Sequence, residues 1–338
     1  MSLPGATILD ADGLRLSAEE RAFFREADPW GFILFARNID TPEQVQRLTG
    51  EMREAVGRDA LVMIDQEGGR VQRMRGPHWR DWPAPLDVVR RAGPAGAQAL
   101  WTMYRVIAAE LRAVGINANA APTCDIAGPR THPFLHNRCL GTETFEVVAN
   151  ARAVAEAHLA GGVLPIVKHI PGHGRAESDS HENLPHVDAA MEDLEDTDFA
   201  VFRHLADLPL GMTAHVVYEA LWDGPATTSA AAIEHVREGL GFDGLLMTDD
   251  ISMKALRGSY ADTARAARAA GCDAVLFCNQ SLEDRRAVSE AAGRMSAAEA
   301  ARAAAAMARI DTPAEIDIAA LDAEFEALLN GKSAGADG

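Results

Sequence analysis

Short apolar runs alternate with longer stretches of helical spacing along most of the chain, and this alternation constrains the fold more than any other feature. The eight runs are ATILD (6–10), GFILF (31–35), LVMID (61–65), INANAAP (116–122), LPIVKHI (164–170), LGMTAHVV (210–217), GLLMTDD (244–250) and DAVLFC (273–278). Continuously apolar strands that alternate with helices are typical of a parallel sheet whose outer face is covered. Eight such units predict an α/β fold, a (β/α)8 TIM barrel in a single domain.

The segments between the runs carry the spacing and the start signals of helices. Ser17 with Glu20 forms a good N-terminal signal, as does Thr41 before a proline. We predict helices near 17–27, 42–56, 95–114, 144–161, 189–206, 230–239, 260–270 and 282–309. A doubly wound sheet is the alternative, but it needs fewer strands and often has a Gly-rich phosphate turn. Neither G-x-G-x-x-G nor G-x-x-x-x-G-K-[ST] occurs in the chain.

The composition and the termini exclude several classes of protein. A formal net charge of −18 argues against a nucleic-acid-binding protein, which needs a basic surface. The start lacks the basic and apolar regions of a secretory signal, and no apolar run approaches the roughly 18 residues of a membrane helix. The four cysteines show no C-x-x-C spacing. We expect a cytoplasmic protein that binds neither nucleic acid nor membrane, with its barrel in residues 1–330 and a disordered tail in 331–338.

Every predicted strand ends in a polar side chain. In a barrel of this kind the chemistry takes place at the C-terminal ends of the strands. Those ends carry Asp10, Arg37 and Asn38, Asp65, Asp125, Lys168 and His169, His215, Asp249 and Asp250, and Asn279. The pattern predicts one concave site at that end of the barrel.

Two motifs supply carboxylates to this site. The segment IDQEGGRVQR places Asp65 at the tip of the third strand and Arg73 shortly after it. A carboxylate there can accept hydrogen bonds from two sugar hydroxyls, and arginine presents a planar fork of donors. The structural alternative is a tight turn stabilised by an Asp–Arg pair. In GLLMTDDISM, Asp249 and Asp250 are adjacent, so only one can point into the barrel mouth. We assign that direction to Asp249 and expect Asp250 to support the turn; the alternative is that Asp249 caps a helix.

The segment KHIPGHGRAESDSHENLPH (168–186) contains four histidines and several carboxylates. Such a set could ligate a metal, but the spacings H-x3-H, H-x7-H and H-x4-H fall in a loop broken by Gly and Pro, unlike the single helix face of H-E-x-x-H. We favour a second interpretation, without a metal. Asp179, two residues before His181, can hydrogen-bond the imidazole, fix its tautomer and raise its pKa toward a value useful for proton transfer.

Together, KHIPGHG with DSH, IDQEGGRVQR and GFDGLLMTDDISM resemble motifs of the bacterial β-N-acetylhexosaminidases of glycoside hydrolase family 3. The resemblance is to the cytoplasmic single-domain enzymes of peptidoglycan recycling, and it extends from GFILFARN to GCDAVLFCN. The family's fold is a TIM barrel, which agrees with the strand count reached independently.

The resemblance also implies roles for individual residues. Asp249 matches the nucleophile, and His181 matches the general acid/base, with Asp179 as its partner. The implied substrate-binding residues are Asp65, Arg73, Arg138, Lys168 and His169, and the implied supporting residues are His173 and His215. Around Arg138 this chain reads NRCL (137–140) where the family has E-R-S-F/Y, so we expect the surroundings of that arginine to differ.

The activity that the resemblance implies is hydrolysis of terminal β-linked N-acetylglucosamine from muropeptides bearing 1,6-anhydro-N-acetylmuramic acid. The reaction would be retaining: Asp249 attacks the anomeric carbon, and the His–Asp dyad replaces the second carboxylate of most retaining glycosidases. The strand-seven aspartate argues against attack by the substrate's own acetamide. We expect no metal or organic cofactor, and a monomer. The alternatives are a phosphorylase, since a histidine acid/base does not repel phosphate, and a sugar-binding barrel without activity.

Overall fold

A closed parallel barrel forms the centre of the molecule. The computed structural model describes residues 3–178 and 183–331. The barrel strands are β1 (Gly5–Leu9), β2 (Pro29–Leu34), β3 (Leu61–Ile64), β4 (Ala118–Asn119), β5 (Leu164–Ile170), β6 (Leu210–Thr213), β7 (Leu245–Met247) and β8 (Val275–Phe277). Their order in the sheet is β7-β6-β5-β4-β3-β2-β1-β8, with every neighbouring pair parallel. A parallel bridge between Met247 and Ala274 joins the two edges, so the predicted (β/α)8 barrel is confirmed.

Helices surround this barrel. They are α1 (Ala18–Ala27), α2 (Pro42–Val56), α3 (Pro85–Ala92), α4 (Gly96–Ala113), α5 (Pro133–His136), α6 (Thr144–Ala160), α7 (Met191–Asp196), α8 (Asp198–His204), α9 (Ala230–Glu234), α10 (Tyr260–Ala270), α11 (Leu282–Ala292), α12 (Ala297–Met307) and α13 (Ile318–Leu329). A π-helical segment, His235–Gly239, continues α9. The start signals at Ser17 and Thr41 are confirmed, because both side chains accept a hydrogen bond from the first turn of their helix.

Two predicted helices are each a pair of helices in the structure. The prediction for 282–309 is wrong at Gly293, whose φ of 67° lies in the left-handed region that ends α11. The next helix then begins at its own N-cap, Ser296. The prediction for 189–206 is wrong in the same way, because Thr197 leaves the helical conformation between α7 and α8. The short helices α3 and α5 and the C-terminal α13 were not predicted.

Alternating side chains divide the apolar core into two layers. In β3, Leu61 and Met63 belong to the cluster inside the barrel, whereas Val62 and Ile64 belong to the cluster between the strands and the helices. This alternation follows from the two-residue repeat of a strand. Ala303 of α12 joins the inner cluster, so that helix packs against the N-terminal end of the barrel. The C-terminal end of the barrel is the end that α12 does not cover.

Two short sheets lie beyond the C-terminal ends of the strands. Gln66–Gly68 pairs antiparallel with Val71–Gln72 directly after β3, and His186–Val187 pairs in parallel with Val217–Tyr218. Of the predicted tail, residues 332–338 lie outside the described residues. Within the described part of the chain, no helix combines the length and the apolar character that crossing a membrane requires.

Candidate active site

A cavity of about 270 Å³ opens at the C-terminal ends of the barrel strands, as the strand-end pattern predicts. Seven of the ten residues singled out from the sequence line it, namely Asp65, Arg73, Arg138, Lys168, His169, His173 and Asp249. His215 lies behind its wall, and Asp179 and His181 lie outside the described residues. The structure therefore brings together groups that are far apart in the sequence, on β3, β5 and β7.

Glu67 is the centre of one charged cluster in this cavity. Its carboxylate accepts two hydrogen bonds from Arg138, both of 2.8 Å, and lies 2.5 Å from Lys168 Nζ. Only 1% of the Glu67 side chain and 2% of the Lys168 side chain are exposed. Burial alone would raise the pKa of Glu67, but Arg138 and Lys168 lower it to about 2. The carboxylate is therefore ionised and fixes the two cations in the cavity wall.

Asp65 joins the same cluster from the tip of β3. Lys168 Nζ lies 3.2 Å from its Oδ1, and Arg73 Nη2 donates to its Oδ2 at 3.0 Å. Burial opposes ionisation of Asp65, but Lys168 and Arg73 outweigh it and hold the pKa of this carboxyl well below its usual range. The Asp–Arg pair of the structural alternative is thus present, and the same carboxylate also faces the cavity.

A second cluster positions His169. Its Nδ1 lies 2.7 Å from Asp125 Oδ2, and the other oxygen of Asp125 accepts the His173 backbone N–H at 2.6 Å. Burial raises the pKa of Asp125, yet the two histidines lower it overall. The bond to Asp125 fixes the orientation of the His169 ring, whose Nε2 lies 4.0 Å from Asp249 Oδ2.

Asp249 follows β7 and combines burial with an open hydrogen-bonding position. Its Oδ1 accepts the Asp250 backbone N–H at 2.8 Å, while Oδ2 accepts no hydrogen bond from the described residues. Burial would raise the pKa of Asp249, but His169, His215 and the Asp250 N–H lower it on balance. An ionised carboxylate with a free oxygen at a cavity wall can act as a nucleophile or stabilise a developing positive charge.

Asp250 supports the turn, in agreement with the role assigned to it from the sequence. Its carboxylate accepts hydrogen bonds from the Ser252 backbone at 3.0 Å, the Ser252 hydroxyl at 2.8 Å and the Cys278 backbone at 3.3 Å. His215 holds the same turn from behind, because its Nε2 lies 3.0 Å from the Asp250 carbonyl oxygen and its Nδ1 lies 2.8 Å from the Thr227 hydroxyl. β7 ends at Met247, three residues before the predicted end.

His173 differs from the other histidines of the cavity. It is 8% exposed, and neither ring nitrogen has a hydrogen-bond partner among the described residues. Burial lowers its pKa to about 4, so the ring is neutral at physiological pH. A buried imidazole whose donor and acceptor both lack partners is suited to bind a ligand group or water in the cavity.

The unusual surroundings of Arg138 lie behind the cavity wall. Cys139 packs in a small buried cluster with Leu86 and Leu135, and Leu140 belongs to the main core. The Asn137 carbonyl oxygen accepts the Leu86 backbone N–H at 3.3 Å. Cys139 and Leu140 thus pack in buried apolar clusters, while Arg138 is among the residues that line the cavity.

Two residues that hold side chains of the cavity had no predicted role. Glu67 was not singled out, although it follows Asp65 by two residues and an extended chain would direct both side chains the same way. Asp125 was recognised as a strand-end residue, but its pairing with His169 was not foreseen. Among the described residues, no group of three or more His, Cys, Asp or Glu side chains is arranged to hold a metal ion.

Comparisons with known proteins agree with this fold. The family model described as glycosyl hydrolase family 3 N terminal domain matches residues 7–312. A β-hexosaminidase of Alkalilimnicola ehrlichii is 40% identical over 285 residues, which cover 82% of this chain and 81% of that protein. A β-hexosaminidase of Methylococcus capsulatus is 37% identical, over 86% of this chain and 90% of that protein. The structure of native NagZ from Neisseria gonorrhoeae superposes with a TM-score of 0.84 at 29% identity, covering 97% of this chain and 96% of that one.

Proposed function

The chain belongs to glycosyl hydrolase family 3, as a β-N-acetylhexosaminidase, and from this membership we propose that it removes terminal β-linked N-acetylglucosamine by a retaining double displacement. The β-hexosaminidase relatives support the substrate class, and the cavity at the C-terminal end of the barrel supports a site for one terminal sugar.

One observation carries the proposal furthest, namely the state of Asp249. The carboxylate borders the cavity, its pKa is lowered overall, and its Oδ2 accepts no hydrogen bond from the described residues. In the first step this oxygen attacks the anomeric carbon and the bond to the leaving-group oxygen breaks, giving a glycosyl-enzyme. Water then attacks the same carbon and releases Asp249 as a carboxylate.

The charged cluster around Asp65 is proposed to hold the sugar. Lys168 directs two of its three donors at Glu67 and Asp65, so one N–H remains for a sugar oxygen. Arg138 uses Nε and Nη2 on Glu67, which leaves its Nη1 for the ligand within the described residues. Arg73 and His169 complete the proposed set. Because carboxylates already fix Lys168, Arg138 and Arg73, these three side chains lose little conformational freedom when a substrate binds.

The proton transfers are assigned to His181, with Asp179 as its partner, and both residues lie outside the described residues. The chain on either side of them supports this assignment. Before the gap, the His173 backbone is bound to Asp125 in the cavity wall, and after it His186–Val187 pairs with the strand that follows β6. Both of these described segments lie at the C-terminal end of the barrel, where an acid/base has to reach the leaving-group oxygen.

The physiological substrate follows from the family resemblance. We propose muropeptides in which N-acetylglucosamine is linked to 1,6-anhydro-N-acetylmuramic acid, cleaved during peptidoglycan recycling in the cytoplasm by a monomeric enzyme. The proposed steps use only side chains of this chain, and they need no metal or organic cofactor.

The His181→Ala variant tests the mechanism most sharply. A general acid matters in proportion to the basicity of the leaving group. The rate of cleavage of a natural disaccharide should fall by about 10²- to 10⁴-fold. The rate of the first step with a nitrophenyl glycoside should fall far less. The glycosyl-enzyme should then accumulate and give a pre-steady-state burst, and azide should speed its breakdown to a β-azide product.

Matched controls separate this outcome from the alternatives. Asp179→Ala should give a weaker version of the same pattern, because it only misorients the imidazole. Equal slowing of both substrates, without a burst or azide rescue, would mean that His181 is not the acid/base. Wild-type turnover that depends on added phosphate and yields a sugar phosphate would favour a phosphorylase, and absence of turnover would favour a sugar-binding barrel.

A further inference from the structure

A groove adjoins the active-site cavity along the loop that follows β7. It has a volume of about 590 Å³, and Met253 borders both the groove and the cavity. The loop begins at Ser252, whose backbone and hydroxyl are bound by Asp250 beside the proposed nucleophile. A ligand that extended from the cavity past Met253 would therefore enter this groove.

The groove carries a lysine that makes no ion pair with the described residues. Lys254 lines it and is exposed, and Arg257 lies exposed in the same loop. Neither side chain makes an ion pair within residues 3–178 and 183–331, although the chain has 50 acidic residues for 32 lysines and arginines. The wall contains one carboxylate, Asp284, whose Oδ2 is held by the Ser281 hydroxyl at 2.5 Å. In a protein of net charge −18, a lining lysine without an ion-pair partner in the described residues favours an anionic group of a ligand beside it.

The rest of the wall is apolar and partly fixed. Met253, Leu256 and Tyr260 are half-buried and line the groove. The Tyr260 ring packs against Phe277 of β8 with 5.0 Å between the ring centroids, and its hydroxyl donates to Gln280 at 3.3 Å. An ammonium group beside an apolar wall is suited to a carboxylate attached to a small aliphatic group.

We propose that this groove binds the leaving group of the substrate and selects leaving groups that carry a carboxylate, with Lys254 as the ion-pair partner. The inference rests on the proposed function, which supplies the bond that is cut at the cavity. Selection then arises at the leaving-group side, through contacts separate from those that hold the terminal sugar.

Two substrates that differ only in one charge test the inference. The first is N-acetylglucosamine β-linked to N-acetylmuramic acid, with its free lactyl carboxylate, and the second is the methyl ester of the same disaccharide. The wild type should have the higher kcat/KM for the acid. Lys254→Gln should reduce the acid-to-ester ratio of kcat/KM by about two- to fivefold, the effect of an exposed ion pair, and Lys254→Glu should reduce it further. Higher ionic strength should lower the wild-type ratio.

Arg25→Gln is the matched control, because Arg25 is exposed in the last turn of α1 and makes no ion pair within the described part of the chain. It should keep the wild-type ratio. If the wild type and both Lys254 variants cleave the two substrates with the same ratio, the inference is overturned while the proposed function stands. If the wild type cleaves neither substrate, the proposed function fails, and the inference that rests on it fails as well.

Discussion

Each end of the barrel holds an aspartate beside one of the last two strands: Asp249 is half-buried, and Asp273 is buried. Asp249 follows β7 at the C-terminal end, and Asp273 precedes β8 at the N-terminal end. Asp273 accepts hydrogen bonds from Arg302 at 2.6 Å, from Arg237 at 2.7 Å and from the Leu246 backbone at 2.8 Å. Both of its oxygens are occupied, and Arg302 comes from α12, which packs against that end of the barrel.

The two aspartates differ in whether a carboxylate oxygen is left without a hydrogen bond from the described residues, and in whether a cavity lies beside it. Asp249 has one hydrogen bond from the described residues and borders a cavity, whereas Asp273 is enclosed by its partners. Burial and charge are common to both ends, so neither property identifies the site. The site is identified instead by a carboxylate oxygen that lies at a cavity wall and accepts no hydrogen bond from the described residues. The comparison predicts that one carboxylate serves activity and the other serves stability.

Asp249→Asn should have the largest effect. An amide cannot replace an attacking carboxylate, so kcat should fall by on the order of 10⁴- to 10⁶-fold. The free energy of unfolding should change by only about 1 kcal/mol, because the side chain accepts a single hydrogen bond from the described part of the chain. Steady-state kinetics and urea denaturation measure the two quantities. In the wild type, a 2-fluoro sugar with a good leaving group should label Asp249; a label on Asp250 would contradict the assignment of the pair.

Asp273→Asn should show the opposite pattern. Loss of the charge leaves Arg237 and Arg302 without their shared anion and should lower the free energy of unfolding by about 3 kcal/mol. The figure is at the lower end for a buried pair because the two arginine side chains are 21% and 29% exposed. The folded fraction should keep the wild-type kcat. Asp262→Asn is the control, since its pair with Arg265 is exposed and its loss should not alter stability measurably. Loss of activity in folded Asp273→Asn would mean that the two ends are coupled.

The repeating pattern of the sequence predicts the C-terminal end of the barrel, where the cavity lies, well. Strand ends follow from apolar runs, and the barrel fold brings all of them to one rim, so the sequence alone assigns Asp65, Lys168 and Asp249 to one cavity. The N-terminal end was not predicted in the same detail. The break at Gly293 lies in an alanine-rich stretch whose helical spacing continues on both sides, so α12 was not separated from α11.

Contacts between distant segments were beyond the sequence pattern. Glu67 meets Arg138 and Lys168 only because β3, β5 and the loop after β4 converge in the closed barrel. No periodicity relates these positions, and a single carboxylate beside two glycines is equally typical of a turn. His173 is a similar case, since the absence of a hydrogen-bond partner for its ring among residues 3–178 and 183–331 depends on packing around the cavity.

Glu67→Gln should lower activity as well, but by less than Asp249→Asn. The amide would keep the size of the side chain but not the charge that fixes Lys168 and Arg138, so kcat/KM should fall by about 10- to 100-fold, mainly through KM. Glu51→Gln is the matched control. Glu51 is also a largely buried carboxylate with two arginine partners, Arg15 and Arg21, but it lies on α2 outside the cavity, and its substitution should leave KM unchanged.

Acid should weaken both of these glutamate ion pairs, and the sign of the effect follows from the lowered pKa values. The folded protein lowers the pKa of Glu67 from 4.5 to about 2, so the unfolded chain takes up a proton first as the pH falls. The stabilisation by ionised Glu67 is therefore complete above about pH 4.5 and disappears as the pH approaches 2. The wild type should exceed Glu67→Gln in free energy of unfolding at pH 6, and urea denaturation should show this difference narrowing across that window. The pKa of Glu51 is also lowered, because hydrogen bonds from the Leu16 backbone and Arg15 outweigh its burial. The difference in free energy of unfolding between the wild type and Glu51→Gln should therefore also become smaller as the pH falls. If the difference in free energy of unfolding from the wild type stays constant with pH for Glu67→Gln but becomes smaller for Glu51→Gln, the cavity cluster is not held by an ionised carboxylate.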